Sequence, residues 1–205
     1  MCARRSARRG LTESAKTLRI EQRRQFAAPL LIGVISDTHL HRGNPGLALT
    51  SVVELFRRFQ VDLIIHAGDV NAIPALEVLS GVAPVMVVRG NNDDADVMDV
   101  APAEIEFRVG KFKFAVLHGH GGGVPARAEA RIRFAGKVDC AIFGHSHIPM
   151  IENVDGSIFF NPGSAEQRRQ HPHFGIGLIS VTVDRIDPEL ILWARPEDLR
   201  RVKPD

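Results

Sequence analysis

Five short clusters in this 205-residue chain carry side chains that ligate metals: Asp37 with His39, Asp69, Asn91, His118, and His145 with His147. Each follows an apolar run. The first run, Leu30 to Ile35, reads as a buried parallel strand, so Asp37 and His39 face a site beyond its carboxyl end while Thr38 points elsewhere. Any one cluster also reads as a polar residue ending a strand, and a lone Asp-x-His favours that plainer reading. Their recurrence favours chemistry. Four of the nine histidines directly follow an apolar strand, and glycine stands beside Asp69, Asn91, His118 and His145, leaving room for close approach of backbone to an ion. Imidazole, carboxylate and amide oxygen without thiolate suits Mn, Fe, Zn or Ni rather than an all-oxygen Mg or Ca cage.

The elements that must position these groups follow from periodicity. Val52, Leu55, Phe56 and Phe59 fall at i, i+3, i+4 and i+7, one apolar helix face, after a loop at Gly43-Asn44-Pro45-Gly46. Asp62 to Ala67 and Pro84 to Val88 read as strands, with a short helix from Ile73 to Leu79 between them. Such alternation implies right-handed βαβ crossovers and a parallel sheet. From Glu104 the rhythm changes: Glu104–Val109 and Phe112–Leu117 flank Gly110-Lys111, a hairpin signal. Pro125 to Ala135 alternates at a strand's period, yet alanine, arginine and glutamate with Pro125 at the first position predict a helix. Asp139 to Phe143 is a further strand. Met150–Val154 and Ser157–Phe160 flank Asp155-Gly156, Asn161-Pro162-Gly163-Ser164 is a turn, and Gly175–Val183 and Glu189–Ala194 read as closing antiparallel strands. An early parallel half and a late antiparallel half predict two packed sheets sandwiched by helices.

Composition excludes several classes. No apolar run approaches the roughly 18 residues of a membrane span. Cys2 and Cys140 make neither a disulfide framework nor a zinc pattern, which makes a reducing compartment, the cytoplasm, the expectation. Residues 1–24 hold seven arginines and Lys16 against Glu13 and Glu21, a surplus of six positive charges; with +2 overall, the remainder carries −4. The basicity therefore belongs to an extension, residues 1–27, expected to be disordered, and residues 28–205 form the domain. No apolar stretch follows its arginines, as a twin-arginine signal requires; a transit peptide is the minor alternative.

Taken in order, Asp37-x-His39, Gly68-Asp69, Gly90-Asn91, His118-Gly119-His120 and Gly144-His145-x-His147 resemble the motifs of the calcineurin-like metallophosphoesterase superfamily. The likeness is greatest to its small single-domain, YfcE-like phosphodiesterase branch, and spans roughly residues 31–194. The resemblance implies a four-layer α/β/β/α sandwich of two mixed sheets flanked by helices. It also implies a metal-dependent phosphodiesterase with two divalent ions, manganese first, with Fe, Zn or Ni as alternatives. By the same resemblance Asp37, His39 and His147 hold one ion, Asn91, His118 and His145 hold the other, and Asp69 bridges them. Two such ions clamp a phosphate, and the hydroxide between them attacks phosphorus in line.

The chain departs from the superfamily in one place. Many members carry Gly-Asn-His-Glu or Gly-Asn-His-Asp, whose histidine is taken to protonate the leaving oxygen, where this chain has Gly90-Asn91-Asn92-Asp93. Asn92 has no proton to give near neutral pH; His120 or Asp93 is the substitute to consider, and His41 is left without a role. The expected partner is a small phosphodiester. No membrane is expected, nucleic acid is disfavoured by the acidic domain, and a homo-oligomer is admitted. The rivals are a non-catalytic adaptor of Vps29-like type on the same fold, against which the seven intact ligands argue, and a nuclease. Loops Gly119–Val124 and Ala165–His173 are where a leaving group would be read. Arg168 and Arg169 in the latter could meet a phosphate or simply be solvated.

Overall fold

The computed structural model describes residues 18–40 and 46–204. The arginine pairs at 4–5 and 8–9, His41 and most of the expected 43–46 loop lie outside the described residues. Strand β2 (Leu30–Ile35) is apolar on both faces because both faces are covered. Ile32 and Val34 lie in a core between two sheets, whereas Ile35 joins a core beneath helices. Gly33 leaves the space that the Phe56 ring fills; a Cβ there would stand 2.9 Å from it. Phe56 belongs to α1 (Leu47–Phe59), whose apolar stripe is the expected one. Truncating so buried a phenylalanine costs about 3–5 kcal/mol. Glu166 accepts the amide of Leu49 at 2.8 Å and so serves the first turn of α1 from a distant loop.

Five strands form the first sheet, in the order β11 (Ile186–Trp193), β10 (Phe174–Val181), β2, β3 (Leu63–His66), β4 (Val85–Val87). β2, β3 and β4 run parallel, and β10 is antiparallel to both its neighbours. The second sheet has six strands in the order β1 (Gln25–Phe26), β5 (Glu104–Val109), β6 (Phe112–Leu117), β7 (Cys140–Phe143), β9 (Ser157–Asn161), β8 (Met150–Val154). α1 and α2 (Ile73–Ser80) cover the outer face of the first sheet. α4 (Ala126–Phe134) covers the second through Ala126, Ala130 and Phe134. Three cores thus fill the spaces between four layers, the α/β/β/α sandwich that the motifs imply. No helix among the described residues is long and apolar enough to cross a membrane.

Three expectations change. The late half of the chain is not uniformly antiparallel, since β6, β7 and β9 are parallel neighbours and β10 returns to the first sheet. The set of elements also grows, by a short α3 (Ala95–Val100) and a 3-10 helix (Pro196–Arg201) that no periodicity marks. The third change concerns the extension, whose last ten residues belong to the fold. Ile20 bridges to Val85 of β4, with Glu21 donating to the Val85 carbonyl at 2.8 Å. Five residues on, β1 pairs parallel with β5, and Phe26 is buried between the sheets. Residues 18–27 therefore pack with the fold, because Leu18, Ile20 and Phe26 supply apolar contacts that the arginines around them obscured.

Candidate metal centre

The carboxyl ends of β2, β3, β4, β6 and β7 open on one rim, and each carries one of the clusters. Among the described residues, five of the nine non-glycine residues with positive φ are Asp37, His39, Asp69, His145 and His147. Aspartate and histidine tolerate this left-handed conformation better than most residues, and its concentration here marks a built site. The cause is visible in the loop after β2. Asp37, His39 and Leu40 donate in turn to the carbonyls of Gly68, Asp69 and Val70 at 3.0, 3.0 and 3.1 Å, so the two loops stay paired while their backbones curl.

Two groups result. Asp37, His39 and His147 form one and Asp69, His118 and His145 the other, with the ligand atoms within each lying within 4.8 Å of one another. Asp69 joins them: its Oδ2 is 3.6 Å from His39 Nε2 and 3.3 Å from His118 Nε2. His118 Nδ1 donates to the Ala67 carbonyl at 2.7 Å, and His147 Nδ1 donates to that of Gln167. Both Nε2 atoms are then left as lone pairs facing carboxylate oxygens, His147 Nε2 standing 3.2 Å from Asp37 Oδ1. Asp37 Oδ1, His118 Nε2 and His145 Nδ1 are buried without a hydrogen-bond partner among the described residues. Acceptors turned towards one another in a dry site are costly unless a cation lies among them, so this donor set fits divalent ions.

The charges agree. Burial works against ionisation of Asp69, but the His118 bond and the Asn92 amide hold its carboxyl well below the usual carboxylate range. Asp37, also opposed by burial, is lowered by His147, His118 and Ser36. For His118 burial is outweighed by Asp69 and Asp37, and its affinity for a proton rises, the same pull that those carboxylates exert on a metal ion. Burial lowers His39, His145 and His120.

The glycines work differently from the expectation that they admit an ion. A Cβ on Gly68 would stand 2.5 Å from His118 Nδ1, one on Gly90 2.1 Å from Asp69 Oδ1, and one on Gly144 2.9 Å from Asp37 Oδ2. They make room for the ligand side chains. Of the adjacent asparagines, Asn92 reaches Asp69, its Nδ2 2.7 Å from Oδ2 and its backbone amide 2.8 Å from Oδ1, while Asn91 is exposed beside it. Asp93 is spent on structure, accepting from the amides of Asn71 and Gly90 at 2.7 and 2.6 Å. His120 is exposed at the rim, its ring centroid 5.4 Å from that of His118 and 6.3 Å from that of His145.

Several supporting residues escaped the sequence reading. Ser36 Oγ donates to Asp37 Oδ2 at 2.6 Å, and Ser164 Oγ donates to the Asp37 carbonyl at 2.7 Å. Asn161 Nδ2 donates to the Gly144 carbonyl at 2.9 Å. Asn161 and Ser164, both buried, thus brace two ligand loops, and the Asn161-Pro162-Gly163-Ser164 turn was the only trace of them in the sequence.

Comparison with known proteins follows the same lines. Residues 30–184 match the model of the calcineurin-like phosphoesterase superfamily domain. A protein described as a probable metallophosphoesterase from Methanothermobacter thermautotrophicus is 30% identical over 171 residues, covering 82% of this chain and 95% of that protein. One of the same description from Methanocaldococcus jannaschii is 36% identical over 166 residues, 79% of this chain and 81% of its own. Among solved structures, an archaeal phosphodiesterase is 24% identical with a TM-score of 0.63, covering 79% of this chain and 100% of that one. Wild-type Vps29 of Entamoeba histolytica complexed with Zn2+ is 22% identical with a TM-score of 0.63, covering 80% and 99%.

Proposed function

The chain belongs to the calcineurin-like phosphoesterase superfamily, and on that premise we propose that it is a metal-dependent phosphodiesterase acting on small diesters. The observation that carries this is Asp69, a charged carboxylate standing between two groups of histidine and aspartate donors. Asp37, His39 and His147 would hold one divalent ion and His118 and His145 with Asn91 the other, with Asp69 available to both. Two bound ions supply Lewis acidity, offsetting the charge of a phosphate and easing deprotonation of water at neutral pH. The chain's own part is to fix the donors. Ala67 and Gln167 set the imidazole tautomers, Ser36 and Ser164 hold Asp37, and Asn92 holds Asp69. The mixed imidazole and carboxylate donors suit manganese, iron, zinc or nickel, of which manganese is the ion proposed. The two cysteines, Cys2 and Cys140, form no disulfide framework in sequence, which supports a reducing compartment such as the cytoplasm.

Asp69→Asn tests the reading, since it keeps shape and removes the shared charge. Wild-type protein loaded with Mn should hold two ions per chain and hydrolyse bis(p-nitrophenyl) phosphate. The variant should lose at least one ion and more than about 100-fold in rate, with an unchanged far-ultraviolet circular dichroism spectrum. Full activity with two ions retained in the variant would remove the ligand assignment. A wild-type protein that takes up no stoichiometric metal and hydrolyses no activated diester would give way to an adaptor role, which the fold likeness to Vps29 supports.

A further inference from the structure

The two flanks of the centre differ in character. Beside His118 lies a smaller cleft of about 150 Å³, the more polar of the two, where Arg89, Glu104, His120, Glu129 and Arg133 stand beside Ala103 and Leu117. Beside His147 lies a cavity of about 390 Å³ lined by Ser146, Ile148, Arg168, Arg169, His171 and Pro172, with more apolar than polar surface. Its size falls within the about 300–1,000 Å³ of small-molecule pockets. It adjoins the centre through the chain. Ser146 stands between His145 and His147, and Gln167, two residues before Arg169, accepts the His147 Nδ1 proton. Ile148 is 56% exposed at its mouth, far more than an isoleucine needs to be at the end of a sheet.

The two arginines of its wall differ. Arg168 is tied down, donating to the Pro172 carbonyl with its guanidinium 5.1 Å from the Phe174 ring centroid, and so holds the loop closed on itself. Arg169, left-handed at φ 51, makes no hydrogen bond or ion pair among the described residues. Its charge is near enough to oppose protonation of His39. A cation so placed, beside an apolar slot and at the edge of a metal centre, suits an anionic phosphate bearing an apolar substituent.

We propose that this cavity is a specificity subsite, in which Ile148 and Pro172 receive an aromatic substituent that stays on the phosphate while Arg169 binds a non-bridging phosphate oxygen. The leaving oxyanion then departs towards Arg89 and His120 on the polar flank. The proposal rests on the phosphodiesterase reading for its chemistry, though not for its binding geometry.

Two diesters with one leaving group test it: methyl p-nitrophenyl phosphate and phenyl p-nitrophenyl phosphate, with Mn-loaded protein. The phenyl ester should show kcat/KM about tenfold higher or more, the gain lying in KM, as expected for an apolar group entering an apolar pocket. Ile148→Asp should bring the ratio to within about twofold of one. Arg169→Gln should lower kcat/KM for both esters by a similar factor and leave the ratio standing. Calorimetric titration with phenyl phosphate and methyl phosphate reads the same preference without turnover. Equal affinity and equal kcat/KM for the two arms in wild type would overturn the subsite. Preferential binding of phenyl phosphate that Ile148→Asp abolishes, with neither diester hydrolysed, would keep the subsite and remove the phosphodiesterase reading.

Discussion

Asn92 occupies the place where many superfamily members keep a proton donor, and the structure gives it another occupation. Its amide holds Asp69 Oδ2, and a side-chain amide has no proton to transfer near neutral pH. Asp93 is engaged with two backbone amides. His120 is the remaining candidate donor, at the rim and with a proton affinity lowered first by burial and then by the charge of His118. A general acid contributes about 10²–10⁴-fold, most where the leaving group is poor. Rates across a series of aryl and alkyl leaving groups should therefore fall steeply with leaving-group pKa, equally in wild type and in His120→Asn. A flat wild-type series that turns steep in the variant would name His120 as the acid. At this scale the sequence was most legible. The ligand types stand directly after apolar runs, so the strand pattern alone locates Asp37, His39, Asp69, His118, His145 and His147. Which of two adjacent asparagines turns towards Asp69 depends on a loop conformation that leaves no periodic trace.

Elements were legible where they were long or regular. The stripe of α1 and the hairpin β5–β6 repeat a spacing several times. The two residues of β1 repeat nothing, and α3 buries only Val97. Parallel pairing of β6, β7 and β9 depends on where connections cross, which strand composition does not encode. The segment 18–27 shows the cost of such short elements. Measured against a chain lacking residues 1–17, a chain lacking 1–27 also loses buried Phe26 and the partly buried Leu18 and Ile20 and should melt at a lower temperature. Loss of the phenylalanine contact alone is about 3–5 kcal/mol, or about 6–20 °C in a domain of this size. Calorimetry of the two truncations decides whether residues 18–27 are part of the cooperative unit. Equal melting temperatures would show that they are not.

At the scale of the whole molecule, a buried histidine ties stability to pH. His66, at the end of β3, is fully buried, its Nε2 3.1 Å from Thr38 Oγ1, and burial pushes its pKa down to about 3. The unfolded chain binds a proton at this residue below about pH 6.5 and the native state does not until about pH 3, so stability is full above 6.5 and falls as pH drops. The expected slope is about 1.4 kcal/mol per pH unit from this residue. Urea unfolding of EDTA-treated protein at pH 7 and pH 5 should show a larger loss in wild type than in His66→Gln, and equal losses would place the acid sensitivity elsewhere. The strap formed by residues 18–27 also bears on how molecules meet. Unpaired strand margins are templates on which other chains can add, and a two-sheet sandwich has four of them. Bridging to Val85 of β4 and pairing with the last two residues of β5 cover part of both margins on one side, while β8 and β11 meet each other on the other, with Ile151 and Leu192 each 43% exposed. A few residues between 18 and 27 thereby blunt one flank of the molecule against the addition of a further strand.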